Sequence, residues 1–316
     1  MTKKILFLGG THNQTTMGYR VAQELTEYDC WFSPFYADGL IKKAAERGWA
    51  DFTILGGVPR RMTETFYAEK KVRVDYGAER NHYDLVVMCA DLIVPKNIRD
   101  KPIVLVQEGM MTPENLVYHL VKNLRLPRFL GNTSMTGLSH TYQKFCVASD
   151  GFREMFARKG INPEKIVVTG VPNFDDMDKY RDNDFPHRDF VLGATSYLRE
   201  SFQYENRPAF IRKVLEIADG RQVIFKLHPN ENQPRAIREI QYHAPKSLIY
   251  TSGDINPMIA NCAAMVTKYS SVLMVALAMG KPVYSDLDPT FAETLRPIQN
   301  GGTSAKRIAD VCRNYL

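Results

Sequence analysis

Short apolar runs recur along the chain, each stopped by a polar or glycine-bearing cluster and followed by an amphipathic segment. The first is 4–8 (KILFL), followed by Gly9-Gly10-Thr11-His12-Asn13 and a helix expected at about 17–28. Further strands are expected at 30–35, 83–89 (YDLVVMC), 102–106 (PIVLV), 144–148 and 165–169 (KIVVT). Helices are expected at 41–47, 113–124 and 152–159. Residues 56–80 are polar and basic and read as a helix with loops, while 128–140 (RFLGNTSMTGLSH) has no period and reads as a mobile loop or lid. Runs this short and this continuously apolar suit strands buried on both faces, and their alternation with helices suits parallel sheets covered on both sides. The alternation breaks at the charged, proline-containing stretch 175–188, which reads as a linker. It resumes with strands at 189–192, 223–227, 248–250 and 263–267, and with helices at 209–219, 256–262, 271–279 and 304–315. The pattern therefore predicts two α/β domains, 1–175 and 189–316, facing one another across a cleft.

In open sheets of this kind, ligands sit at the carboxyl ends of the strands. The polar clusters there carry the candidate chemistry. His228-Pro229-Asn230-Glu231 follows one strand of the second half, and Lys268-Tyr269-Ser270-Ser271 follows another and opens a helix. A helix start offers free N–H groups, a positive dipole end and here two hydroxyls, a set that suits a phosphate or diphosphate. His228 supplies a further donor to the same anion, with Glu231 placed to hold a ribose or His228 itself. Thr195, Ser196 and Arg199, in the loop after the strand 189–192, are expected to line the nucleotide's entry. In the first half, Glu108 directly follows a central strand and is itself followed by Gly109, the position of a general base facing the cleft. Gly10, Thr11 and His12 lie at another strand end and are expected at the acceptor side. The opening glycine loop lacks GxGxxG spacing, so no dinucleotide site is expected.

The 316 residues suit two domains, and 44% hydrophobic with 24% charged residues is ordinary for a chain with full cores. A net charge of +6 and a pI near 8.9 suit anionic ligands, and also attraction to an anionic membrane surface. The Lys and Arg residues are scattered, so nucleic-acid binding is not expected. Five widely spaced cysteines without a CxxC read as buried thiols of a reduced compartment. No DxD-like acidic pair flanked by apolar strand residues appears, so no metal is expected. No secretory signal opens the chain and no apolar run reaches about 18 residues, so the expected place is the cytoplasm, with peripheral contact to the inner face of the cell membrane left open.

The His-Pro and Ser-Ser clusters, in that order, resemble the HP and SS motifs of bacterial GT-B transferases that use CMP-activated sugars, among them sialyl-, polysialyl- and Kdo transferases. The resemblance implies two Rossmann-like domains, a phosphate held by His228, Ser270 and Ser271, and a base from an acidic-acidic-Gly motif. Here that motif reads Gln107-Glu108-Gly109, with Gln in the first acidic position. FKLHPNE and TKYSSVLMVALAMGKPV also resemble the carboxyl-terminal domain of CDP-glycerol glycerophosphotransferases. KIVVTGVPNFD and the GG-T opening are similar to the UDP-N-acetylglucosamine 2-epimerases. The implied activity is metal-independent transfer of a sugar from a CMP-, CDP- or UDP-linked donor to a hydroxyl of a glycan or lipid-linked acceptor in surface polysaccharide synthesis. No cofactor is implied beyond the nucleotide-sugar co-substrate. The alternatives are nucleotide-sugar epimerisation, glycerophosphate transfer, and a non-catalytic nucleotide-sugar-binding subunit.

Overall fold

The computed structural model describes every residue except Met1, Phe52, Phe202 and Tyr269. It divides into two compact units, Met1–Asp175 with Asn300–Leu316, and Asp176–Gln299. The first unit holds seven parallel strands: β1 Lys4–Leu8, β2 Asp29–Ser33, β3 Arg73–Val74, β4 Leu85–Met88, β5 Ile103–Val106, β6 Lys144–Val147 and β7 Ile166–Val168. Their order in the sheet is β3-β2-β1-β4-β5-β6-β7. Its helices are α1 His12–Gln23, α2 Gly39–Glu46, α3 Gly57–Glu69, α4 Leu116–Asn123 and α5 Asp150–Arg158. The second unit holds β8 Val191–Ala194, β9 Val223–Lys226, β10 Leu248–Tyr250, β11 Ala264–Val266 and β12 Val283–Tyr284, in the order β10-β9-β8-β11-β12. Its helices are α6 Arg207–Ala218, α7 Gln233–His243, α8 Asn256–Asn261, α9 Ser271–Ala278 and α10 Pro289–Thr294. The last helix, α11 Ser304–Arg313, belongs to the first unit.

Both sheets are wound the same way. Each starts at its centre, builds to one side, and then crosses to the other, so order reverses between β1 and β4 and between β8 and β11. A crevice at the carboxyl ends beside such a reversal is where open α/β sheets take ligands. β4 and β5 are buried along their whole length, which explains their unbroken apolar sequences. In the second unit Val191, Phe225 and Val266 from the sheet pack with Phe210, Ile211 and Val214 of α6 and Ile240 of α7. Gly193 is fixed by this packing, because a Cβ there would meet the Phe225 ring at 2.6 Å.

Four details differ from the sequence expectation. Helix α1 starts at His12, because Thr11 and Gln14 form a capping box immediately after the glycine loop. Residues 128–135 form a 3-10 segment with Gly131, Ser134 and Met135 buried, so the expected lid is packed structure. The expected linker 175–188 is divided: Asp175 is buried in the first unit, and Met177 is buried in the second, where Asn183 pairs with Asn261. The expected second domain ran to 316, whereas the second unit ends at Gln299 and α11 packs beside α1. The five cysteines are free, four of them buried and Cys30 half-buried. Among the described residues no helix is long and apolar enough to cross a membrane.

Candidate functional site

In the second unit, three adjacent strands end together. β8 pairs with β9 through Ala194 and Lys226, and with β11 through Gly193 and Val266. The residues after them are tied across the edge. The Thr267 hydroxyl donates to the Ala194 carbonyl at 3.2 Å, and the His228 N–H donates to Thr195 Oγ1 at 3.0 Å. The same N–H reaches Glu231 Oε1 at 2.9 Å, and Thr195 donates its hydroxyl to that carboxylate oxygen. The other Glu231 oxygen accepts from Arg207 Nη2 at 2.9 Å, and Glu205 holds the same guanidinium through two bonds of 3.0 Å. Arg207, Glu205 and Glu231 are all buried. A buried charge is tolerated only when paired and bonded on this scale, so the group acts as a rigid base under the His228 loop.

Thr195 and Glu231 therefore position His228 and have little left for a ligand. Of the two roles expected for Glu231, the geometry gives the holding of His228. Arg199, expected at the nucleotide entry, is committed elsewhere: its guanidinium bonds both oxygens of Glu239, at 2.7 and 2.8 Å. Pro229 is exposed. Tyr269 lies outside the described residues.

His228 itself is half-buried, and its ring stacks on Tyr197 with centroids 4.5 Å apart. Burial, with the nearby Lys226 ammonium, lowers its pKa to about 4, and Glu200 opposes this only in part. The ring is thus neutral at neutral pH. Its Nδ1 accepts the Asn230 N–H at 3.1 Å, which assigns the proton to Nε2 as an available donor. Ser196 lies in the chain between Thr195 and Tyr197, which both touch His228, and its buried hydroxyl has no hydrogen-bond partner among the described residues; neither has Arg207 Nη1. Such orphans are uncommon in folded proteins and call for an explanation. Ser270 is the N-cap of α9, yet its side chain makes no capping bond to that helix, and Ser270 and Ser271 are both half-buried. Among the described residues, the start of α9 at the end of β11 thus has no side-chain cap from Ser270. Sequence reasoning missed Arg207 and Lys226. A lysine at the end of an apolar strand was the legible signal for Lys226, while Arg207 looks like any residue at a helix start.

In the first unit, Glu108 follows β5. Its carboxylate accepts the Thr11 hydroxyl at 2.5 Å and Gln14 Nε2 at 2.6 Å. The Gln14 carbonyl oxygen accepts in turn from the Thr11 N–H at 3.4 Å. Burial raises the Glu108 pKa, and the two donors pull it back only in part. Gly10 is required here, since a Cβ would lie 2.7 Å from Gln14 Oε1 and 3.2 Å from Ile54. Thr11 thus serves the carboxylate and α1 together. His12 is exposed, with Phe66 edge-on to its ring at 6.2 Å. Gln107 is fully buried and structural: its amide bonds the Ala148 N–H at 2.9 Å and the Gly109 carbonyl at 3.1 Å. An acid in its place would lose the bond its amide N–H₂ donates. Asp91, near the end of β4, is also consumed, accepting N–H groups of Gly137 and Ser139 at 2.8 and 3.0 Å.

No sequence-family model matches the chain, and no curated protein matches it. Among solved structures it is similar to UDP-GlcNAc 2-epimerase from Neisseria meningitidis bound to UDP-GlcNAc, with TM-score 0.61 and 15% identity, covering 98% of this chain and 100% of that one. It is similar also to a putative UDP-N-acetylglucosamine 2-epimerase from Listeria monocytogenes, with TM-score 0.60 and 14% identity, covering 100% and 97%. The wall teichoic acid polymerase TagF gives TM-score 0.50 at 11% identity, covering 99% of this chain and 88% of that one. At such identities the likeness speaks for the fold: two Rossmann-like units of the GT-B type.

Proposed function

We propose that the chain is an enzyme acting on a nucleotide-linked sugar, whose phosphates are received at the carboxyl edge of β8, β9 and β11. One observation carries this reading: the Ser196 hydroxyl, buried and unpartnered among the described residues, in the loop whose Thr195 and Tyr197 hold His228, a neutral imidazole with its proton on Nε2. When the bond between sugar and phosphate breaks, negative charge grows on the departing phosphate oxygens. Fixed donors that need no reorganisation stabilise that charge. The Ser270 and Ser271 hydroxyls and the first N–H groups of α9 add to the same set. The carrier we favour is a pyrimidine nucleotide, CMP, CDP or UDP.

Glu108 is the proton acceptor in this reading. Its raised pKa makes it a stronger base than a free carboxylate, while Thr11 and Gln14 keep its oxygens oriented. Two reactions fit. In 2-epimerisation a proton leaves carbon 2 of the sugar and returns on the opposite face; the neighbour structures named for that reaction make it the better-supported one. In transfer, an acceptor hydroxyl gives its proton to Glu108 as its oxygen bonds the anomeric carbon, and the nucleotide leaves with the bonding electrons. That reading draws on Glu108 as the carboxylate that follows β5, and TagF offers the parallel of a polymerase.

Incubation with UDP-N-acetylglucosamine alone in deuterated water separates them. An epimerase yields the 2-epimer with deuterium at carbon 2, whereas a transferase yields neither and releases nucleotide only with an acceptor. Glu108→Gln is expected to bind nucleotide normally and lose turnover by about 100-fold or more. If none of CMP, CDP and UDP raises the melting temperature, the reading falls.

A further inference from the structure

Helix α4 has two apolar faces. Tyr118 and Val121 point inward and are buried with Met135. Leu116, Val117 and Leu120 point outward, and Leu116 is 74% exposed. The outward face continues past the helix through Leu124, Leu126, Phe129 and Leu130, all exposed. A surface helix normally turns its polar side outward. A contiguous run of exposed large apolar side chains marks a face that something covers.

The charges around it say what. From Asn115 to Ser149 the sequence contains no Asp or Glu, but it carries Lys122, Arg125, Arg128 and Lys144. Lys122 and Arg128 bond only neutral oxygens in the described interactions: Lys122 the Tyr118 hydroxyl and the Lys159 carbonyl, Arg128 the Asp91 carbonyl. Among the described residues no carboxylate forms an ion pair within 4.0 Å of Lys122, Arg125 or Arg128. Exposed leucines and a phenylalanine, in a segment whose only charged side chains are cations, match the acyl boundary and headgroups of an anionic bilayer. Two copies of this face would bring like charges together, which opposes self-association.

We infer that α4 and the 3-10 segment after it form a docking surface for an anionic membrane. The platform is rigid. Thr112 Oγ1 accepts the Ser134 N–H at 2.9 Å, and Thr133 Oγ1 accepts the Thr112 N–H at 3.0 Å. These bonds tie it to the loop that leaves Glu108, so docking brings the lipid surface towards that loop. The inference rests on the surface alone and stands whichever reaction the chain performs.

Co-sedimentation of the full chain with vesicles tests it, using phosphatidylcholine alone and phosphatidylcholine with phosphatidylglycerol. The wild type should pellet with the anionic vesicles, and less so as salt rises. Leu120→Glu with Leu124→Glu should lower partition about tenfold or more, and Arg125→Glu should lower it less. Leu215→Glu, an exposed position on α6, should change nothing. All four positions are exposed, and unchanged unfolding curves of the variants confirm that folding is intact. A wild type left in the supernatant overturns the inference, as does equal binding to neutral vesicles. A dimer in sedimentation velocity that the leucine double variant dissociates also overturns it, because a second copy then covers the face.

Discussion

His228 shows how a single side chain is set by its surroundings. A free imidazole titrates at 6.5, and here burial and Lys226 bring it to about 4. Between those values the unfolded chain binds a proton that the folded chain refuses. Folding stability therefore rises with pH across that window. The contribution is fully present above 6.5 and is lost as pH falls through 4. His228→Asn removes the titrating group while keeping a neutral polar side chain. Urea midpoints measured at about pH 7.5 and about pH 4.5 should differ less in the variant than in the wild type. Parallel behaviour of the two would mean the imidazole is solvated and is no preformed neutral donor.

At the scale of elements, the amino end of α1 and the loop after β5 make one device. Thr11 caps the helix through its oxygen and donates its proton to Glu108, and Gln14 completes the capping box while donating to the other carboxylate oxygen. Burial lifts the Glu108 pKa and these two donors restrain it. Thr11→Val or Gln14→Leu removes a donor, so the pKa should climb further. A base works only when ionised. The acid limb of kcat/KM should therefore move to higher pH in either variant, and a limb that stays put would remove Glu108 from the base role. Much of this edge was legible in the sequence, because a strand buried on both faces must be apolar throughout and must end in polar residues. The clusters at Glu108, His228 and Ser270 stood out for that reason. What was not legible depends on partners distant in the chain. Nothing local marks Gln107 as the tie to Ala148, Arg199 as the partner of Glu239, or Ser196 as a hydroxyl without one. The start of α1 was placed late because its apolar period begins at Met17, six residues after the cap.

At the scale of the whole molecule, the alternation of strands and helices counts elements in order but does not say which sheet an element covers. The final helix was expected in the second domain for that reason. Its place follows from contacts that span the chain. Asp175 is fully buried, and its carboxylate accepts the N–H groups of Asn300 at 2.5 Å and Ser304 at 2.6 Å. It thereby caps α11 with a negative charge at the positive dipole end. Arg313 at the other end bonds Glu27 at 2.8 Å and the Glu24 carbonyl at 2.7 Å, beside α1. Ile308, Ala309 and Cys312 are buried between. Deleting residues 303–316 should therefore unfold the first unit more easily and leave the second unit's nucleotide affinity unchanged. Asp175→Ala should act in the same direction, by about 2 kcal/mol, since it strands two N–H groups at a buried site. Calorimetric unfolding with and without nucleotide separates the outcomes. A ligand-stabilised transition that persists while the other moves down supports the assignment. Loss of nucleotide binding on truncation would return α11 to the second unit.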